Sequence, residues 1–315
     1  MYYLNYMKIG TILCAFLVLP LLIQACGGVE SGSDAIVREE GFETIDNARL
    51  LWKEAQALEL ESEFGKALDR YEDLVDDYPE SELSSSAQFR IGVCLEKEDE
   101  LYDAFEAYQT LLDDYPGKGN LGEILKRQFD IGKAFLDGRK RYFLFFRIRS
   151  GLGTAEKIFR TVVNNATFSR VSPQAQYSLG EALRMQGNYE DAVTEYEVVL
   201  NNYPGTDVIP LALFNLGVCY YEEALRSDYD PKEVDKAVRY FKRFVKRYPN
   251  NPIRAEADEK ISELIDLKAE KAYDIAAFYE SAGSPEGARL YYRKIIDKYP
   301  DSRYARLARE KLPVQ

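Results

Sequence analysis

Apolar residues return every three or four positions through most of the chain, in short blocks, several of which end on Tyr-Pro. That spacing is the stripe of an amphipathic helix, and the proline marks where each helix stops. The lines YEDLVDDYPES (71–81), YQTLLDDYPGK (108–118), YEVVLNNYPGT (196–206), FKRFVKRYPNN (241–251) and YRKIIDKYPDS (292–302) are nearly one line written five times. Helices cut from one template imply an array that grows by addition, with no need of a second core.

Four positions define the unit. A small residue on its first helix is followed twelve residues later by alanine, four further by an aromatic and eight further by proline: Ala55, Ala67, Tyr71, Pro79; Gly92, Ala104, Tyr108, Pro116; Gly180, Ala192, Tyr196, Pro204. Gly217, Ala237, Phe241 and Pro249 keep the order with eight extra residues between the helices. Gly132, Ala155 and Phe159 do so with eleven extra, Thr167 standing where proline should be. Ala276, Ala288, Tyr292 and Pro300 close the series. This is the tetratricopeptide pattern. The expected fold is all-α, a right-handed α-solenoid of six such hairpins at about 48–80, 85–117, 125–168, 173–205, 210–250 and 269–301, with a capping helix at 302–312. Small residues let paired helices approach, and the second-helix aromatic is expected to fill the space between one pair and the next. The tyrosine before each proline should pack back over the repeat boundary.

The first residues have a different pattern. Lys8 precedes an apolar run from Ile9 to Ile23, then Gln24-Ala25-Cys26. This reads as a lipoprotein signal peptide over 1–25 with Cys26 as the lipidation site, because Ile23-Gln24-Ala25-Cys26 resembles the bacterial lipobox. Several acyl chains would make the attachment stable. Residues 26–43 read as a flexible tether and 44–315 as the repeat domain.

Composition narrows the chemistry. A net charge of -12 opposes phosphate backbones, so no nucleic-acid partner is expected. Histidine is absent, which removes the commonest general base and transition-metal ligand. Cys94 and Cys219 occupy equal places in their repeats and read as small core residues. No catalytic constellation, metal site or cofactor motif is present; Asp228, Asp230 and Asp235 lack the rest of a calcium loop. The chain reads as a binding protein and not an enzyme.

Two features are candidate binding sites. Three residues before each small crossing position stands an aromatic: Trp52, Phe89, Phe129, Tyr177, Phe214 and Tyr273. This column could grip an extended peptide, or its rings could pack against the first helix of the neighbouring repeat. The insertion DGRKRYFLFFRIRSGLG (137–153) reads as the one strongly basic stretch. Arg139, Arg141, Arg147 and Arg149 bracket Phe143, Phe145 and Phe146, which suits docking or an anionic lipid surface. The alternative is that both helices of the third repeat extend into a longer hairpin with these rings between them.

The segments RSDYDPKEVDKAVRYFKRFVKRYPNNPIRAEADEKI and KAYDIAAFYESAGSPEGARLYYRKIIDKYPDS, together with Cys26 ahead of the repeats, resemble the BamD/YfiO family of outer-membrane assembly lipoproteins. The likeness runs over about 170–312 and is generic before it. It implies a non-catalytic scaffold on the periplasmic face of the outer membrane, anchored by lipid. Its partners would be the central β-barrel assembly subunit, other assembly lipoproteins and unfolded outer-membrane proteins. Another periplasmic scaffold, serving cell-wall synthesis or the Tol-Pal system, is the alternative. Two departures stand out: the family usually has five repeats, and Tyr291 stands where many relatives carry arginine.

Overall fold

A computed structural model of the chain describes residues 32–312 apart from 140, 144–145, 150 and 227–228, with side chains from Asp46 onward except along 141–149. The signal segment and Cys26 lie outside the described residues. The helices form consecutive pairs: α1 (Gly32–Leu60) with α2 (Phe64–Asp77), α3 (Ser84–Lys97) with α4 (Leu101–Asp114), and α5 (Leu121–Leu136) with α6 (Gly151–Asn165). Next come α7 (Ser172–Met185) with α8 (Tyr189–Asn202), α9 (Ile209–Arg226) with α10 (Pro231–Arg247), and α11 (Arg254–Ser281) with α12 (Pro285–Lys298). A short α13 (Arg303–Lys311) closes the array. From α2 onward each helix packs on its neighbours along the chain, and the Trp52–Tyr71 ring contact joins α1 to α2, so the described residues from Asn47 form an α-solenoid held by neighbour-to-neighbour interfaces.

The prolines act as their chemistry requires. Helices α2, α4, α8, α10 and α12 each stop two residues before Pro79, Pro116, Pro204, Pro249 and Pro300, and the intervening tyrosine leaves helical geometry, as at Tyr78 (φ -132°, ψ 53°). Its amide still donates to the carbonyl four residues back, as Tyr78 does to Leu74 at 3.0 Å. Tyr203 shows the expected reach over the boundary: it is buried, and its hydroxyl donates to the Thr167 carbonyl of the preceding repeat at 2.7 Å. Turns inside the hairpins need a left-handed residue, which Gly187 and Gly283 supply freely (φ 82° and 75°). Ser62 and Asp99 adopt the same conformation (φ 62° and 67°), at a cost of roughly 1 kcal/mol each.

Three expectations about the elements need correction. The tether is helical from Gly32 onward, where Ala35, Arg38, Glu39 and Glu40 are good helix formers. The insertion of the third repeat does not lengthen its helices. Instead β1 (Arg141–Phe143) and β2 (Phe146–Arg149) pair antiparallel, Phe143 opposite Phe146, because aromatic and β-branched residues favour strand. The sixth repeat does not begin at 269: α11 runs unbroken from Arg254. Its first half buries Ala257 and Leu264 against α10, and its second buries Ala269 and Ala276 with α12 and α13. No proline or glycine lies between Arg254 and Ser281 to divide it.

The small crossing residue has a specific neighbour. A Cβ on Gly92 would lie 2.4 Å from the Tyr108 ring, and on Gly132, Gly180 and Gly217 it would come within 2.7 Å of Phe159, Tyr196 and Phe241. The second-helix aromatic therefore lies inside its own hairpin, against bare backbone, and not between hairpins. Tyr108 is fully buried and cannot retreat. Gly92→Ala is expected to cost about 1–3 kcal/mol by overpacking, exceeding the ~1 kcal/mol that alanine gains in helix propensity. Denaturant unfolding measures this; a stabilised variant would show that the ring yields.

Candidate functional site

The column of first-helix aromatics forms six pairs, each ring leaning on the second-helix aromatic of its own repeat. Centroid separations are 5.4 Å for Trp52–Tyr71, 5.6 Å for Phe89–Tyr108, 5.7 Å for Phe129–Phe159, 5.7 Å for Tyr177–Tyr196, 5.4 Å for Phe214–Phe241 and 5.4 Å for Tyr273–Tyr292. All six are tilted or edge-on, the arrangement that aromatic quadrupoles prefer. The second ring of each pair is buried, whereas five of the first rings are only half-buried; Phe214, touching both Phe241 and Phe244, is the buried exception. The helical spacing brings together the second-helix aromatic, the bare crossing residue and the ladder ring. The ladder keeps exposed ring surface at five rungs.

Two open grooves adjoin rungs of the ladder. One, of about 480 Å³, is lined by Glu96, Leu101, Glu123, Lys126, Arg127 and Ile131, with the Arg127 guanidinium 5.4 Å from the Phe89 ring centre. The other, of about 350 Å³, is lined by Tyr221, Leu225, Glu263, Asp266, Arg303 and Tyr304; Tyr304 lies 5.6 Å from the Tyr273 ring. Each offers apolar surface beside charges of both signs, which suits a peptide with its own backbone to satisfy.

Charged latches run beside the ladder, and sequence reasoning missed them. Four residues after the crossing position, Glu59, Glu96 and Glu280 each pair with a cation from the following unit: Arg90 (Nε to Oε1 2.9 Å), Arg127 (Nη1 to Oε2 3.0 Å) and Lys311 (Nζ to Oε2 3.1 Å). Glu96 also accepts from the Tyr108 hydroxyl at 2.6 Å, and Glu280 from Tyr292 at 2.9 Å. Burial, then the adjacent glutamate, pushes the Tyr108 and Tyr292 phenols well above their ordinary value, so they remain neutral donors. The fourth repeat places Arg184 at this position, and Asn215 instead donates to Tyr177 at 3.0 Å. The signal was a recurring glutamate, hidden among 53 acids. Buried glutamines one residue before three rungs add cross-helix bonds, as from Gln88 Nε2 to the Ala107 carbonyl at 3.0 Å.

Other candidates fall apart from the ladder. Arg139 pairs with Asp99, tying the base of the β-hairpin to the second repeat. The backbone register places Arg141 and Arg149 opposite one another, as it does Phe143 and Phe146; Phe145 lies outside the described residues. Cys94 and Cys219 are buried thiols, pushed up to about 12 chiefly by burial. Asp230 caps α10 by accepting from the Lys232 amide at 2.8 Å, and Asp235 pairs with Lys268; Asp228 lies outside the described residues.

The family model described as "YfiO: Outer membrane lipoprotein" matches residues 149–306, half of the chain. The chain belongs to the YfiO family. A tetratricopeptide repeat model matches 86–118, the second hairpin. The BamD outer membrane protein assembly factor of Caulobacter vibrioides is 24% identical over 151 residues, 48% of this chain and 50% of that protein. Its counterpart in Neisseria gonorrhoeae is 24% identical over 160 residues, 48% of this chain and 60% of the relative. The chain thus spans about half the length of the curated relatives it matches. Among solved structures, YrrB, a TPR protein with an unusual peptide-binding site, is 16% identical with a TM-score of 0.39, covering 73% of this chain and 98% of its own. The YfiO match takes in the last three hairpins, while the first two carry only the general repeat pattern.

The last latch makes a pH prediction. Tyr292 and then Lys311 hold the Glu280 carboxyl below its ordinary value. Such a group stabilises the fold above the ordinary carboxylate value, and its contribution is lost as pH falls through the lowered one. Acidification should therefore lower the protection of α13 amides, taken relative to their intrinsic exchange rates, before that of the earlier helices, and Glu280→Gln should remove that pH dependence. Equal acid sensitivity in the variant would contradict the assignment.

Proposed function

We propose that this YfiO-family chain is a non-catalytic, lipid-anchored scaffold of the machinery that assembles β-barrel proteins in the outer membrane. Cys26 would carry the anchor, with the repeats on the periplasmic face. The observation that carries this reading is the family match over 149–306, joined by relatives that are themselves named outer membrane protein assembly factors. In this reading the later hairpins hold the central barrel subunit and other assembly lipoproteins. The half-buried rings Trp52, Phe89, Phe129, Tyr177 and Tyr273 receive extended segments of unfolded outer-membrane proteins, with Phe214 completing the ladder from within. The basic hairpin bearing Arg141, Phe143, Phe146, Arg147 and Arg149 is a further docking element. Half-buried rings beside mixed-charge grooves favour this mode: they supply apolar contact, and the grooves supply partners for an extended backbone.

A tagged chain solubilised from envelopes should co-purify the large barrel subunit, and its depletion should lower many barrel proteins together. Recovery of peptidoglycan enzymes or Tol components in its place would favour the other class of scaffold. Phe89→Leu should weaken capture of an unfolded barrel protein about tenfold, on the order of one aromatic contact, while leaving barrel-subunit recovery intact. Unchanged capture in a folded variant would remove the ladder from the mechanism.

A further inference from the structure

Helix α10 contains seven cations and two acids in PKEVDKAVRYFKRFVKR. The basic insertion is therefore not the one strongly basic stretch in this acidic chain. Val234, Ala237, Phe241 and Phe244 bury one face of the helix; Arg239, Lys242, Arg243, Lys246 and Arg247 are exposed on the other, at spacings of three, four, seven and eight from the first. These five form a continuous stripe over about 12 Å of helix. None makes an ion pair with a carboxylate among the described residues, although cations elsewhere repeatedly do; within α10 itself, Lys236 pairs with Glu233 at 2.8 Å. Two acids on or against this helix are engaged elsewhere: Asp235 pairs with Lys268, and Glu197 accepts from Tyr240.

We propose that this stripe is a docking surface for an anionic phospholipid bilayer. A chain of net charge -12 is repelled by such a surface as a whole, so only a face whose cations are not neutralised by carboxylates of the chain can approach it; Arg247 has only the Tyr248 ring, at 5.6 Å. The stripe lacks the apolar centre that protein interfaces usually bury. Its neighbours Val238, Tyr240 and Val245 are drawn into the array, Tyr240 stacked on Tyr220 at 5.4 Å. What remains is a row of long, flexible cations without a pocket, matched to laterally mobile phosphates and not to one fixed carboxylate. Membership of an outer membrane lipoprotein family puts a bilayer within reach. The inference does not require that the chain assemble barrels.

The test uses the full chain carrying Cys26→Ser, so that no acyl chain contributes, sedimented with vesicles of phosphatidylcholine alone or mixed with phosphatidylglycerol. Phosphatidylglycerol should raise binding, and added salt should abolish the gain. Lys242→Glu, Arg243→Glu and Lys246→Glu together should lower phosphatidylglycerol-dependent binding about a hundredfold. Lys53→Glu, Lys97→Glu and Lys118→Glu together, an equal charge change at exposed lysines elsewhere, should lower it far less; circular dichroism checks that both variants fold. Equal loss in the two variants, retention of binding by the α10 variant, or loss only when Arg141, Arg147 and Arg149 are replaced would each overturn the proposal. So would a parent chain indifferent to phosphatidylglycerol whose stripe instead crosslinks to an acidic protein.

Discussion

The structure depends on an aromatic ring laid against helical backbone that has no side chain in the way. At Gly92, Gly132, Gly180 and Gly217 the second-helix ring occupies the space a Cβ would need. In the first and last hairpins the crossing residue is Ala55 or Ala276, each fully buried, so there a methyl is accommodated at the crossing. That contact sets the distance between paired helices, and the ladder ring three residues earlier then leans on the same buried aromatic. One buried ring thus serves both stability and the exposed column: it joins the hairpin and holds the rung at a fixed height.

Continuity between units comes from a different chemistry. Glu59, Glu96 and Glu280 each tie the phenol environment of their own hairpin to a cation of the next. Exposed ion pairs contribute little, but Glu59 is nearly buried and Glu96 also accepts from a buried phenol, so removing either acid would leave buried donors unpaired. Toward the carboxy terminus the connection becomes covalent and helical: α11 belongs to two cores at once, and the last hairpin is carried on a rigid extension of the helix that packs on α10.

Much of this was legible in the sequence, since hairpin spacing, Tyr-Pro stops and the ladder positions depend on local periodicity. The unbroken α11 was not: Ser262 falls thirteen residues after Pro249, where Gly92 falls after Pro79, yet no Tyr-Pro line follows it at the repeat spacing. The β-hairpin was missed because a short basic-aromatic run has no helix-length periodicity to oppose extension of its neighbours. The role of the second-helix ring was misplaced by one interface, because spacing locates a residue on a face without saying which neighbour faces it. The α10 cations are interleaved with apolar residues in the linear sequence and become a stripe only when wound on a helix. Family likeness, by contrast, was readable over the last three hairpins, where the YfiO match lies.

The central claim is that ring and bare backbone form one packing unit, and a double-mutant cycle at Gly217 and Phe241 tests it most directly. The account predicts strong non-additivity: Phe241→Leu, by removing the ring that a new Cβ would strike, should cancel most of the cost of Gly217→Ala, with a coupling of about 1 kcal/mol or more. Additive losses would mean that the ring does not rest on the glycine, and the explanation of the repeat would fail with it.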